Sequence, residues 1–516
     1  MILTFSDNFL QMTKRDAEVR TARPAILWLF AIAIVALYFF GLTIPLVGPD
    51  EPRYAQVARE MFERGDWITP TLGGFNWFEK PALLYWLQIA SYHLFGVNEF
   101  ASRFGSALFG LGTVASLWML GRLAESDDSA ATSTDQPSAI GFAHCLALVA
   151  ATSIGLIVFS RAASFDIILT FPMTAGLVAF FIFDSKESTQ TEDRYASLYL
   201  IAFYFFVGVS LVAKGLIGIV FPYAIVSSYY LLSRRLPSKR VILSLFWGTA
   251  LASVVASAWY LPMYMKHGWL FIDEFIIQHH FQRYTSNKYF HPQPFYFFFW
   301  VLPLMTLPWM PFAFTGSWSF FRNSLADKTA SVDKTKDGLH FRSALYFFSL
   351  SWLLVPLAFF SFSGSKLPGY ILPALPPALV FAAFGVSRFA TTRSRKRFVL
   401  GIAGLMIVGV VTTLIIAVPM FVKEDSTKYL IEKANERGFA GARVLSMHHI
   451  SHNAEFYASG RLLRESDGRQ KKFLGPTEIL AEIRNEEGRT VLVIVPTEYL
   501  KQLTETSYLR SEVIDQ

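Results

Sequence analysis

Long apolar segments separated by shorter polar ones recur along the chain from Pro24 to Val418. Each is about as long as the ~20 residues that an α-helix needs to cross the hydrocarbon core of a bilayer. The apolar run at 81–96 is shorter and is predicted to form a re-entrant or interfacial helix. The predicted spans lie at about residues 24–44, 101–121, 139–160, 166–183, 195–213, 215–232, 241–262, 294–315, 343–361, 370–387 and 398–418. The pattern therefore predicts a polytopic α-helical membrane protein with about 11–13 spans.

The pattern changes after the last predicted span. Residues 426–437 have helical spacing, and residues 443–447 and 490–495 have the composition of strands. We therefore expect a membrane domain over residues 1–419, with a functional first external loop at 45–100, and a small α/β domain over residues 420–516.

Composition supports the membrane class. The 516 residues are 53% hydrophobic and 16% charged, whereas soluble domains carry about 25% charged residues. The single cysteine, Cys145, lies in an apolar run, which excludes an intramolecular disulfide and a cysteine-based zinc site. No signal-peptide cleavage pattern precedes the first apolar run, so we expect the first span to serve as an uncleaved anchor.

Basic residues predict how the spans are oriented. The N-terminal segment carries Lys14, Arg15, Arg20 and Arg23 and is predicted to be cytoplasmic. Alternation of the spans then places three further basic loops, at 234–240, 322–342 and 388–397, on the same side. The C-terminal domain is therefore predicted to be external. The net charge of +7 is explained by these loops, without a nucleic-acid partner.

This topology collects chemically distinctive side chains on the external face. Charges at membrane depth cost roughly 2.5–3.5 kcal/mol each on insertion scales, so these positions are candidates for function. The first external loop contributes Asp50, Glu51, Arg53, Tyr54, Glu79 and Lys80; later external turns and loops contribute Asp166, Lys214, Arg283, Lys366 and Tyr370.

Each candidate also has a simpler interpretation. Pro52 suits the first turn of a helix, so Asp50 is either a catalytic carboxylate at a positive helix end or a plain cap. Lys80 either extends along apolar surface toward water or binds a lipid phosphate. Asp166 either belongs to the site or pairs locally with Arg161.

Three motifs in order resemble a known family. They are Pro-Asp-Glu-Pro-Arg-Tyr at 49–54, Phe-Glu-Lys-Pro at 78–81 and Ser-Lys-Leu-Pro-Gly-Tyr at 365–370. Together they resemble the bacterial aminoarabinose transferases of the lipid A pathway and the wider protein-mannosyltransferase-like group that uses polyprenyl phosphates. The resemblance covers about residues 24 to 420.

The resemblance implies a GT-C-type fold in the bacterial inner membrane, with the C-terminal domain in the periplasm. It also implies inverting transfer of a sugar from an undecaprenyl-phosphate carrier to an acceptor on the external face, such as lipid A or another envelope glycoconjugate. It assigns catalysis to Asp50, and donor-phosphate binding to Lys80, Arg283, Lys214 and Tyr370. It gives supporting roles to Glu51, Arg53, Tyr54 and Lys366. It further implies a divalent metal that Asp50, Glu79 and Asp166 would share.

Four positions depart from the aminoarabinose enzymes, namely Pro52, Gln56, Trp77 and Gly369. They leave the particular sugar and acceptor open. One alternative is a protein O-glycosyltransferase of the mannosyltransferase type. The inserted β-domain of protein mannosyltransferases has no counterpart here, which argues against this alternative. A transporter or flippase for a lipid-linked sugar, a polysaccharide ligase or polymerase, and a non-catalytic scaffold are the remaining alternatives. Transporters usually contain paired halves with charges near the midplane, and this sequence has no internal repeat.

Overall fold

The computed structural model describes residues 29–131, 141–188, 196–282, 291–318, 322, 341–485 and 490–515. Within these residues, seven helices are long and apolar enough to cross a membrane, or nine if each of two bent helix pairs is one span. Two shorter apolar helices, Leu29–Phe39 and Ile217–Ser233, lie at two further predicted positions. Every predicted span thus coincides with an apolar helix or a bent pair. The prediction of a polytopic helical membrane protein is confirmed.

The membrane part contains helices of very different lengths, since two predicted spans are broken into bent pairs and two others are short. In chain order they are α1 Leu29–Phe39, α2 Asp50–Arg64, α3 Leu83–Phe95, α4 Glu99–Ala131, α5 Phe142–Ala151, α6 Ile154–Ser160, α7 Phe165–Ser188, α8 Ala196–Lys214, α9 Ile217–Ser233, α10 Lys239–His267, α11 Trp269–Phe271 with the π-helical segment Ile272–Gln282, α12 Phe297–Thr306, α13 Met310–Trp318, α14 Phe341–Ser361, α15 Leu375–Phe389 with the preceding 3-10 turn Pro368–Ala374, and α16 Arg393–Thr412 with its continuation to Asp425. The short helix α3 occupies the predicted 81–96 segment.

The two bent pairs break at positions that contact each other. Helices α5 and α6 meet at 57°, and α12 and α13 meet at 107°, where Pro308 lacks the N–H needed to continue a helix. The N–H of Ile154 donates to the carbonyl of Leu307 over 2.9 Å, and the indole of Trp309 donates to Thr152 Oγ1 over 3.0 Å. The breaks therefore satisfy each other's polar groups away from water.

The membrane helices differ in how much of their surface is buried. Most of α7 and α15 is buried, whereas only 11% of the most apolar part of α16 is buried. At the centre Phe181 stacks on Phe348 with ring centroids 4.8 Å apart. Helix α16 therefore lies at the periphery and leads into the C-terminal region.

The C-terminal region is built on a parallel sheet. Its elements are α17 Lys428–Ala434, β3 Val444–Met447, α18 Ala454–Tyr457, β4 Lys472–Phe473, α19 Pro476–Asn485, β5 Leu492–Ile494 and α20 Leu500–Thr504. Strand β3 is central, between β4 and β5, and pairs parallel with both. The first helix and two of the three strands coincide with predicted elements. A second, antiparallel pair, β1 Thr71–Leu72 and β2 Phe75–Asn76, lies in the first loop.

Candidate active site

The N-terminus of α2 presents Asp50 at its first position. The carboxylate is 49% exposed, and its Oδ1 accepts a hydrogen bond from Arg53 Nη2 over 2.6 Å. Arg53 Nε also donates to the carbonyl of Pro49 over 2.8 Å. The positive end of the helix dipole and the arginine both attract this carboxylate, and half of its surface stays open to a reactant.

Glu51 points away from Asp50 into the protein. Its two oxygens accept hydrogen bonds from Arg103, at 3.0 and 2.7 Å, and both side chains are buried. The main-chain N–H groups of Ala163 and Val47 also donate to it, over 2.7 and 3.3 Å. Glu51 therefore fixes the start of α2 between α4 and the segment that precedes α7.

Arg103 is a residue that the motifs do not mark. Besides Glu51, its guanidinium donates to the carbonyls of Leu42, Ile44 and Pro45, just ahead of α2. An available signal was its charge near the start of the apolar run 101–121, because buried charges need several partners.

Glu79 and Lys80, in the turn before α3, add a second charged pair near the pair of Asp50 and Arg53. Lys80 Nζ lies 3.2 Å from Glu79 Oε1, and both side chains are largely buried. Burial alone would lower the pKa of Arg53, but the charges of Glu79 and Asp50 outweigh it and raise that pKa. Arg53 also lies over the ring of Trp77, 5.8 Å from its centroid. Two acids and two cations thus gather at the start of α2 and the turn before α3.

A second cluster forms where three loops meet. Lys214, the last residue of α8, donates to Asp166 Oδ1 in the first turn of α7. The same ammonium group lies 5.2 Å from the ring centroid of Tyr370. A Cβ atom at Gly369 would collide with the carboxylate of Asp166. The glycine that departs from the family pattern therefore allows this loop to approach Asp166.

The alternative pairing of Asp166 with Arg161 does not form. Arg161 instead donates to the carbonyls of Leu37 and Phe40 at the end of α1. Asp166 instead accepts hydrogen bonds from Lys214 and from the hydroxyl of Ser164, which lies 3.3 Å from Oδ2.

Aromatic side chains join the two clusters. The ring of Phe165, next to Asp166, meets Tyr54 edge-on at 4.9 Å and Tyr85 at 5.4 Å. Burial, followed by the charges of Asp50 and Glu79, raises the pKa of Tyr54 well above its usual value. Burial and then Glu79 do the same for the pKa of Tyr85. Both phenols therefore stay neutral beside the acids. The motifs do not mark Tyr85; its signal was a hydroxyl within the short apolar run.

Lys366 does not join these clusters. Lys366 is buried, and its ammonium group donates to the carbonyls of Gln293 and Ser363 over 3.0 and 2.6 Å. Burial lowers the pKa of Lys366. It holds its own loop against the segment before α12. Arg283 lies outside the described residues.

The three carboxylates of the predicted metal site each have a cationic neighbour. Asp50, Glu79 and Asp166 each contact a cation, namely Arg53, Lys80 and Lys214. Among the described residues no group of three histidine, cysteine or acidic side chains could hold a metal ion. The three carboxylates are therefore arranged as ion pairs and do not fit a shared metal.

Much of the chain is similar in sequence to known proteins. Residues 25–272 match the model of the dolichyl-phosphate-mannose-protein mannosyltransferase family. The chain is similar to the undecaprenyl phosphate-alpha-4-amino-4-deoxy-L-arabinose arabinosyl transferase of Serratia proteamaculans, with 29% identity over 385 residues, 70% of this chain and 60% of that protein. The enzyme of the same description from Shewanella sediminis is 29% identical over 68% of this chain and 59% of its own length.

Solved structures share the fold. The crystal structure of ArnT from Cupriavidus metallidurans bound to undecaprenyl phosphate superposes with a TM-score of 0.71 and 20% identity, covering 95% of this chain and 96% of that one. This chain therefore shares the GT-C fold of that enzyme. The archaeal oligosaccharyltransferase AglB from Archaeoglobus fulgidus also shares the fold, with a TM-score of 0.54, 13% identity and coverage of 93% of this chain and 70% of that one.

The comparisons confirm the resemblance and the GT-C fold. The chain spans about three fifths of the length of these two curated relatives.

Proposed function

We propose that this chain transfers a sugar from an undecaprenyl-phosphate carrier to a lipid acceptor, with inversion at the anomeric carbon. The observation that carries the proposal is Asp50, a half-exposed carboxylate held by Arg53. The charge of Glu79, which contacts Lys80, acts on the same arginine. The names of the relatives support aminoarabinose as the sugar. The carrier in the ArnT structure supports the donor class. We take lipid A as the acceptor.

The reaction requires one base and a stabilised leaving group. The acceptor oxygen attacks the anomeric carbon, and its proton passes to Asp50. The bond between that carbon and the phosphate oxygen breaks, and its electron pair leaves with the phosphate. The phosphate departs as a stable anion and needs no acid. A single carboxylate is therefore sufficient, unlike the paired acids of glycoside hydrolases.

The cations would receive the negative charge that develops on the phosphate. Lys80 is assigned to the donor phosphate, with help from Lys214 and from Arg283. Tyr370 would guide the phosphate to Lys214, because its ring already lies against that ammonium group. Preorganised donors of this kind typically contribute several kcal/mol to a transition state. No step is assigned to a metal ion, so a chelator assay decides the metal dependence separately.

The membrane orientation is part of the proposal. We place the chain in a bacterial inner membrane, with the N-terminus in the cytoplasm and the active site and C-terminal domain in the periplasm, because the basic loops agree on this arrangement. The two cysteine variants Ser507→Cys, in the C-terminal region, and Thr391→Cys, in a basic loop, are each made together with Cys145→Ser. In intact cells, a membrane-impermeant maleimide should label the first variant but not the second. The reverse labelling would contradict this orientation.

The function is tested with the purified chain in lipid nanodiscs. Undecaprenyl phosphate-linked aminoarabinose and lipid A are supplied, and the products are identified by mass spectrometry. We expect lipid A to gain one aminoarabinose as undecaprenyl phosphate is released. Movement of the intact donor across a vesicle bilayer without transfer would instead support a flippase and contradict the proposal.

A further inference from the structure

The connection at residues 42–49, between α1 and α2, is held by hydrogen bonds from two distant parts of the chain. Arg103 of α4 donates to three of its carbonyls. The N–H of Leu46 donates to the hydroxyl of Tyr457 in α18 over 2.7 Å. Leu46 is buried, so its N–H needs a partner within the protein. Tyr457 supplies that partner and thereby ties the C-terminal region to the connection.

Helix α4 carries the groups that complete both contacts. The hydroxyl of Tyr457 donates to Glu99 Oε1 over 3.2 Å, and Lys428 Nζ of α17 lies 2.7 Å from the same oxygen. Glu99 begins α4 and Arg103 follows four residues later, so the two side chains lie on one face of the helix. The face of α4 that holds Glu51 therefore also holds the C-terminal region.

The phenol of Tyr457 uses its hydroxyl both as donor and as acceptor. Burial, followed by the charge of Glu99, raises the pKa of Tyr457 above its usual value. The phenol therefore keeps its proton, which lies in the hydrogen bond to Glu99, and its oxygen accepts the N–H of Leu46. A phenylalanine at this position would keep the ring and lose both hydrogen bonds.

Apolar contacts bring the same elements together. Leu46, Ala55 of α2 and Phe456 of α18 form one buried cluster, and the ring of Tyr457 packs against it. Arg59, one turn further along α2, lies over the ring of Phe456, 5.9 Å from its centroid. Helix α18 therefore packs against both the connection and α2, and the Tyr457 hydroxyl adds a directional bond to this contact.

We propose that Tyr457 is a positioning residue for Asp50, through which the C-terminal region fixes the carboxylate that accepts the proton of the acceptor. This inference rests on the proposed function. Asp50 follows the connection directly and is the first residue of α2. Without the Tyr457 hydroxyl the connection loses its hydrogen bond to α18, while Arg103 still holds Glu51. The start of α2 can then shift without unfolding, and a misplacement of about 1 Å can cost roughly 10²-fold in rate.

The first measurement is the single-turnover rate of Tyr457→Phe in nanodiscs, with undecaprenyl phosphate-linked aminoarabinose and lipid A as substrates. The rate should fall by roughly tenfold, as expected for a shift of less than about 1 Å. The affinities for both substrates should equal those of the wild type, because the hydroxyl is bonded to Leu46 and Glu99 and not to a substrate.

The matched control is Tyr508→Phe. It removes a phenol hydroxyl from the same C-terminal region, where the exposed Tyr508 lies 3.4 Å from Thr477 Oγ1. Its single-turnover rate should equal that of the wild type. An equal fall in rate for both variants would overturn the inference, because the effect would then be a general one of the C-terminal region.

A second measurement combines Tyr457→Phe with Asp50→Asn. If Tyr457 acts through the carboxylate of Asp50, loss of its hydroxyl should not lower the residual rate of Asp50→Asn any further, so the two effects are not additive. A merely structural role would lower the rate by the same factor in both backgrounds and would overturn the inference.

Two further results would also overturn it. One is a wild-type rate in Tyr457→Phe, and the other is a loss of melting temperature or folding that accounts for the whole fall in rate. Each of these leaves the proposed function intact, provided that the wild type transfers the sugar and Asp50→Asn does not. If the wild type does not transfer the sugar, the proposed function fails and the inference falls with it.

Discussion

The guanidinium of Arg103 binds both carboxylate oxygens of Glu51, with Nε 3.0 Å from Oε1 and Nη2 2.7 Å from Oε2. The two residues are 52 positions apart, and both are buried. Because Glu51 directly follows Asp50, the pair fixes the proposed catalytic carboxylate against α4. The rigidity of the site thus depends on a residue that lies outside all three sequence motifs.

Breaking this pair should destabilise the protein. Glu51→Gln leaves Arg103 buried without its counter-charge, which typically costs about 3–5 kcal/mol. We expect a clear fall in melting temperature in detergent. Arg122→Met is the matched control. Its side chain is 58% exposed and lies 3.4 Å from Glu125, and pairs with an exposed partner contribute about 0–1 kcal/mol. Equal melting temperatures for the two variants would contradict the role of the buried pair.

Gly369 should tolerate no side chain. In Gly369→Ala the new methyl group would meet Asp166, and either the carboxylate or the loop must move away from Lys214. Overpacking of this kind costs about 1–3 kcal/mol, and transfer should fall together with the melting temperature. Gly401→Ala is the control, since nothing lies within 4 Å of that position in α16. A fully active and stable Gly369→Ala would show that the loop adapts freely.

The pair of Asp166 and Lys214 distinguishes a phosphate site from a structural ion pair. If Lys214 contacts the donor phosphate, Lys214→Met should weaken donor affinity at least tenfold, because a hydrogen bond from a charged group is worth about 1.5–3 kcal/mol. Asp166→Asn should leave donor affinity unchanged or stronger. The measurement is donor binding by both single variants and the double variant. If both single variants weaken donor binding equally, the pair only holds the helices together.

The sequence predicts the membrane helices well, because long apolar runs specify spans whatever their partners. Its three motifs also mark the residues at the start of α2 and in the turn before α3. The 107° bend between α12 and α13 was not predicted, although Pro308 marked its place. Strand β4 was missed because two residues, Lys472 and Phe473, show no periodicity.

Long-range pairing explains the remaining differences. Arg103 lies far from Asp50 in the chain, so no local spacing connects it to the site. Lys366 belongs to a motif, yet its ammonium group is engaged by main-chain carbonyls of Gln293 and Ser363. Which polar side chain faces the site, and which supports it, depends on three-dimensional contacts that motif spacing does not encode.

The central claim is that Asp50 accepts the proton of the acceptor. The decisive measurement is the rate of a single turnover by Asp50→Asn, with donor binding and melting temperature measured on the same sample. Asparagine keeps the shape but cannot act as a base, so the rate should fall by roughly 10²–10⁴ while donor affinity and stability stay close to the wild type. A single-turnover rate equal to that of the wild type would contradict the assignment of Asp50.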